Sequence, residues 1–258
     1  MPAIEVQAIN TPATDLGSTS LTKIPLLPGA IEGVETNYYM QVSGARCSPT
    51  RDSGRSQNFL FTAGAGEIQA GGIIFAFSEI AAFFTGGQEP IVIQATSDLE
   101  YLEVMIDLQD QEVQQLQARI PFFVRYSECE AYAETIKSAK TVSRTIVPAK
   151  TIPGFCMGSV ESSGPDEVAA HSHPILEQLF FGLPGNSCMV TADGANAALE
   201  ERVLLHIPLG SWHGVRVRAG SRLHYVWMDF FKQEEALAYI QEQHKPVPGP
   251  KIIEASSA

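Results

Sequence analysis

The segment AAHSHPILEQLFFG, residues 169–182, decides how this chain is read. It sets His171 and His173 two apart, then a Pro174, then Glu177 at the head of an apolar run. Residues i and i+2 of a strand project from one face. The two imidazoles are therefore expected to share a side, and a carboxylate opening the next strand can swing back toward them. Further on, IPLGSWHG (207–214) builds a turn with Pro208 and Gly210 and starts another strand at His213. Three neutral imidazoles and one carboxylate converging inside a barrel make a mononuclear site for a divalent metal, with positions left for substrate or water.

Working outward, the chain is a succession of short apolar or alternating runs punctuated by Gly, Pro, Asn and Asp, an all-β signature. Before the histidine segment, strands are expected near 37–43, 58–62, 72–77, 82–85, 90–95 and 101–108. AGAGE and TGGQEP read as turns, with Gly71-Gly72 and Gly86-Gly87 as tight turns or bulges. DQEVQQLQARI (110–120) and SECEAYAETIKSA (127–139) read as surface helices. Strands resume at 145–147, closed by Pro148, then at 155–159, 168–173, 177–181, 187–191, 202–207, 215–218 and 222–230. A last helix is expected at 232–242, before a small-residue tail.

This rhythm predicts two jelly-roll barrels in tandem with a few short surface helices. Residues 1–126 would form the first barrel, 127–141 a helical linker, 142–231 the second barrel and 232–258 a terminal helix and tail. All 6 histidines lie from His171 onward. An imidazole metal site can therefore exist only in the second barrel, and the first is expected to be a structural partner. Its ARCSPTRDSGR segment (45–55), with Arg46, Arg51 and Arg55, reads as a solvated loop rather than an anion site.

Composition narrows the function classes. Of 258 residues, 45% are hydrophobic and 18% charged, which excludes wholesale disorder. A net charge of -12 makes phosphate backbones and anionic lipid poor partners. No apolar run is long enough for a membrane span, and the opening MPAIEVQAINTPATD has no signal-peptide pattern. The 4 cysteines (Cys47, Cys129, Cys156, Cys188) form no CxxC pair, as expected of reduced thiols in a cytoplasmic protein. Exposed strand edges point to a homodimer, and the expected partner is a small-molecule substrate.

HxHxxxE followed by PxGxxH resembles the two metal-binding motifs of the cupin superfamily, whose members are small β-barrels; two in tandem would be similar to a bicupin. In cupins the positions matching His171, His173, Glu177 and His213 coordinate the metal. The sequence departs from the pattern at four points. The spacers Gly164–His171 and Glu177–Gly185 are each one residue longer, Arg202 stands where a Gly often opens the second motif, and Val217 stands where an Asn often closes it. The resemblance implies one divalent transition metal per chain (Mn, Fe, Zn, Ni or Co). The activity it implies is Lewis-acid catalysis on a small metabolite chelating through carboxylate, carbonyl or hydroxyl oxygen, of hydrolase, lyase or isomerase type. The alternatives are a non-haem Fe(II) dioxygenase and a non-catalytic ligand binder. A histidine-free first barrel before a metal-bearing one is similar to the bicupin ureidoglycine aminohydrolases, whose ligand pattern differs, so that activity is not carried over.

Strand parity gives further expectations. If His171, His173 and Glu177 face inward, Leu179 and Phe181 share that face while Gln178 and Phe180 point outward. His213 takes Val215 and Val217 inward and leaves Arg216 and Arg218 outside. Trp212 is expected at the rim, and His206 is not expected to be a ligand. Along 222–230 one face carries Tyr225, Trp227 and Asp229, the other His224, Val226 and Met228. Tyr225 and Asp229, or alternatively His224, are the candidate acid and base.

Overall fold

The computed structural model describes residues 4–10, 20–85, 90–117, 121–232, 237, 238 and 240. The strands are β1 (Glu5–Ala8), β2 (Leu21–Leu26), β3 (Val34–Gln41), β4 (Arg46–Cys47), β5 (Arg55–Ala63), β6 (Gly66–Ala70), β7 (Ile73–Phe77), β8 (Ala81–Thr85), β9 (Ile91–Ala95) and β10 (Leu99–Asp107). After the helix α1 (Asp110–Gln117) come β11 (Phe122–Arg125), β12 (Ala131–Tyr132), β13 (Val142–Ile152), β14 (Phe155–Ser163) and β15 (Asp166–His171). The chain continues through β16 (Glu177–Gly182), β17 (Ser187–Ala192), β18 (Ala195–Glu200), β19 (Val203–Ile207), β20 (His213–Val217) and β21 (Arg222–Phe230). The fold is all-β, as the strand rhythm implies.

Two sheet pairs are stacked. The first half pairs a 6-stranded sheet (β11-β8-β5-β10-β3-β2) with a 4-stranded one (β4-β9-β6-β7). The second pairs a 7-stranded sheet (β1-β19-β16-β21-β14-β13-β12) with another of four strands (β15-β20-β17-β18). Each pair encloses its own core, with Phe59, Phe61, Phe83 and Tyr101 in the first and Phe180, Val190, Val215 and Tyr225 in the second. A third core lies between the two large sheets, where Tyr38, Met40, Leu60 and Leu102 meet Phe155, Phe181, Val226 and Met228. The Tyr38 and Phe181 rings are 6.0 Å apart there. Period-two alternation therefore sends Leu179 and Phe181 of β16 into the shared core and Phe180 into the second sandwich.

Several expectations are corrected. Segment 127–139 is not a helix. A single 3-10 turn (Tyr126–Glu128) leads into the short β12, because this stretch lies against β13 and β15 and forms sheet bridges there. Pro148 does not close its strand; β13 continues to Ile152 through a register shift that absorbs the missing donor. β1 pairs with β19, so the first residues belong to the second half's sheet rather than to the first. AGAGE (63–67), expected as a turn, runs into β6 (Gly66–Ala70), and Gly71 and Gly72, both at positive φ, make the turn to β7. Gly86-Gly87 and most of the expected terminal helix lie outside the described residues, of which Leu237, Ala238 and Ile240 are helical.

Arg202 has a φ of 58°, a conformation that costs a non-glycine residue roughly 1–3 kcal/mol. Its guanidinium reaches across the halves to Glu100, with Nε donating to Oε2 at 2.8 Å and Nη2 in contact with Oε1. The Tyr38 hydroxyl donates to the same carboxylate. Arg202→Gly relieves the backbone but strands a buried carboxylate, and a net loss of about 1–3 kcal/mol is expected. The double variant with Glu100→Gln should lose less than the sum of the single changes in urea unfolding. An additive cycle, or a more stable Arg202→Gly, would show that the ion pair does not offset the strain.

Candidate metal centre

β15 and β20 run antiparallel with His171 opposite His213, after a register shift between Val168 and His171. His173 lies in the loop that leads to β16, and its carbonyl accepts from Gly210 N–H at 3.2 Å, which ties that loop to the turn before β20. In that turn Ser211 N–H donates to Pro208 O at 3.1 Å, and Gly210 takes a φ of 74°. The result is a compact triad in which one nitrogen from each of His171, His173 and His213 lies within 4.8 Å of the others. The second-half sandwich thus gathers the three histidines, as the motif implies.

The donor chemistry fits a cation. A backbone carbonyl can only accept, so the contacts His171 Nδ1–Ala169 O (2.8 Å) and His213 Nδ1–Ser211 O (3.0 Å) place the ring proton on Nδ1. Both Nε2 atoms are left as lone-pair donors, and that of His213 is buried with no hydrogen-bond partner among the described residues. Burial holds both imidazoles below the usual histidine range, His213 at about 4 with help from the neighbouring His171. They are neutral near pH 7, as metal ligands must be.

Glu177 is not part of the cluster. Its Oε2 lies 3.0 Å from His206 Nε2, on the shared-core side of β16, so the expected fourth ligand is displaced to the opposite face. His171 ends β15 and Glu177 begins a strand of the other sheet, so alternation counted from the histidines is lost in the intervening loop. Gln178 and Phe180 line the cavity instead, reversing the expected parity. Gln178 Nε2 donates to Asp229 Oδ1 at 2.8 Å, while its buried Oε1 has no partner among the described residues. The amide oxygen left without a partner among the described residues thus belongs to the residue after the carboxylate that the spacing singled out.

β21 resolves the choice that parity left open. Tyr225, Trp227 and Asp229 line the cavity. His224 faces away, its ring 5.7 Å from that of Tyr126, and its candidacy as acid or base is withdrawn. Burial keeps the Tyr225 phenol protonated, its pKa raised well above the ordinary value. Asp229 is only 1% exposed. Desolvation pushes its carboxyl up to about 7, against the downward pull of Gln178, Cys156 and Lys137. The cavity, of about 100 Å³, is also lined by Glu134 and Lys137. Burial lowers the Lys137 ammonium to about 7, opposed by the Asp229 charge. Neither residue was singled out from the sequence, where they fall in a polar stretch without a motif. Trp212 is 59% exposed.

No protein-family model and no curated protein sequence matches the chain. Solved structures do. A cupin 2 conserved barrel domain protein from Leptotrichia buccalis aligns with a TM-score of 0.56 at 13% identity, over 82% of this chain and 89% of that one. Protein Ylba from E. coli aligns at 0.65 and 12% identity, over 83% and 84%. Oxalate decarboxylase from Bacillus subtilis aligns at 0.62 and 13%, over 86% and 77%. The fold is therefore that of cupin jelly rolls, spread over most of the chain. Among the described residues, no helix is long and apolar enough to cross a membrane.

The raised Asp229 pKa sets a direction for stability. An unfolded aspartate titrates near 3.8 and the folded one near 7, so folding takes up a proton between these values and stability falls as pH rises through that window. Asp229→Asn should therefore stabilise the metal-free protein above about pH 7, and the gain should vanish below about pH 4. Urea unfolding across pH checks this, and a gain that instead grows on acidification would mean that the carboxylate is stabilised in the fold.

Proposed function

We propose that this chain is a bicupin enzyme that holds one divalent transition metal in its second half and acts on a small chelating metabolite. His171, His173 and His213 would supply three ligands and the Gln178 amide oxygen the fourth. The single observation that carries the reading is the convergence of the three imidazoles in a cavity also lined by Gln178, whose buried amide oxygen has no partner among the described residues. When bound, such an ion supplies Lewis-acid polarisation of a substrate oxygen.

The chain's own groups do the rest. Asp229, whose carboxyl burial pushes toward the protonated form, can hold or release a proton, and the Gln178 N–H fixes that group's orientation. The Tyr225 phenol, protonated at all working pH values, is a hydrogen-bond donor to an oxygen that gains charge. Phe180, Val215 and Trp227 make apolar walls that limit water around the reacting atoms. This arrangement suits proton-transfer chemistry next to a carbonyl or carboxylate, as in a lyase, isomerase or hydrolase.

Metal analysis tests the reading. The wild type should carry about one ion per chain, and His173→Ala should lose it. Gln178→Leu should weaken metal affinity about tenfold or more, while Glu177→Gln leaves it unchanged. Loss of metal from Glu177→Gln but not from Gln178→Leu would return the fourth position to the carboxylate; a wild type that binds no metal ends the proposal.

A further inference from the structure

The segment joining the two halves reaches into the cavity. Glu134 and Lys137 line it together with the histidine triad and Asp229. The Lys137 side chain is 7% exposed, and lysine is almost never that buried without a partner or a task. Its ammonium contacts the Glu134 carboxylate and donates to Ser143 Oγ at 2.9 Å. It also lies over the Tyr132 ring, 5.7 Å from the centroid, at the wall of the cavity that Lys137 lines.

Lys137 is also held in place. It forms an antiparallel bridge with Val168, and Ala169 N–H donates to Ile136 O at 2.9 Å. The hydroxyls of Ser138 and Thr141 each donate to Asp166 Oδ2 at 3.0 Å. Both Val168 and Asp166 belong to β15, the strand that carries His171. The lysine and His171 are therefore carried by directly bonded segments.

As a stabilising device a buried ion pair is poor. Its desolvation cost rivals its attraction, and an apolar pair of the same volume often serves as well or better. Ile136, Val168 and Val215 already line this cavity and would accommodate one. A lysine kept in such surroundings points to an anion that visits them and holds it charged. We propose that Lys137 is the specificity-determining residue of the cavity and binds the carboxylate of a small oxo or hydroxy acid whose other oxygens face the histidine triad. This rests on reading the cavity as the substrate site, and it adds the substrate's charge and the residue that selects it.

Oxamate and oxamide are close in shape and differ by one negative charge, so they serve as probes. Their binding is measured by calorimetry on the metal-loaded protein and by ligand-observed NMR on the metal-stripped protein. The wild type should prefer oxamate about tenfold or more in both forms, the equivalent of one charge-assisted hydrogen bond. Lys137→Met should reduce the preference to about threefold or less while metal content and cooperative urea unfolding persist. If that variant does not fold, Glu134→Gln decides: removing the competing carboxylate should tighten oxamate severalfold and leave oxamide unchanged. A folded Lys137→Met that keeps the full preference overturns the inference, as does a wild type that fails to favour oxamate or a Glu134→Gln that binds it no better. A wild type that takes up no metal when metal is offered, yet selects oxamate through Lys137, would sink the metal reading and leave this one standing.

Discussion

The apolar core shared by the two large sheets is the constraint from which the site follows. β16 and β21 are central strands with a packed layer on each side, so each residue must go to one core or the other. Leu179, Phe181, Val226, Met228 and Phe230 fill the shared core. Each such side chain contributes roughly 1.5–3 kcal/mol by leaving water. Their sum far exceeds what one misplaced polar side chain can cost, so parity is settled by the apolar set. Gln178, Tyr225 and Asp229 then have no other direction than the cavity.

Within the cavity, desolvation outweighs the local dipoles. It keeps the imidazoles of His171 and His213 neutral and lifts Asp229 to about 7 despite three groups that favour its charge. The backbone carbonyls at Ala169 and Ser211 supply what desolvation cannot, a defined tautomer and ring orientation for two of the histidines. The site is thus preorganised by the chain itself, with His213 Nε2 and Gln178 Oε1, on two cavity-lining residues, left without partners among the described residues.

Much of this was legible in the sequence, and the failures have physical causes. β21 matches the expected 222–230 residue for residue, and the three histidines assemble as the HxH and PxGxxH spacings imply. Glu177 misled because counting by two works along one strand, whereas His171 and Glu177 sit in different sheets. The face of β21 could not be read because eight of its nine residues are buried, which removes the alternation that would identify a side. The 127–139 stretch is rich in helix formers, yet its backbone bonds are taken up by β13 and β15, a tertiary preference that overrides local propensity. Lys137 was invisible for the same reason: nothing local marks a lysine whose burial is decided by strands elsewhere in the chain.

The histidine-free half has a role in this arrangement. The connecting segment starts on it, with Tyr126 N–H donating to Ile80 O at 2.8 Å and Ser127 binding Glu79 through backbone and hydroxyl. It ends on β15 through Asp166. Its path past the cavity is therefore fixed at one end by the first half and at the other by the strand that bears His171. The Arg202–Glu100 contact and the strand β1 lock the halves together at further points, the former at the expense of a strained backbone. A sandwich with no imidazole of its own thus acts on the site from a distance, by setting where the segment carrying Glu134 and Lys137 can lie.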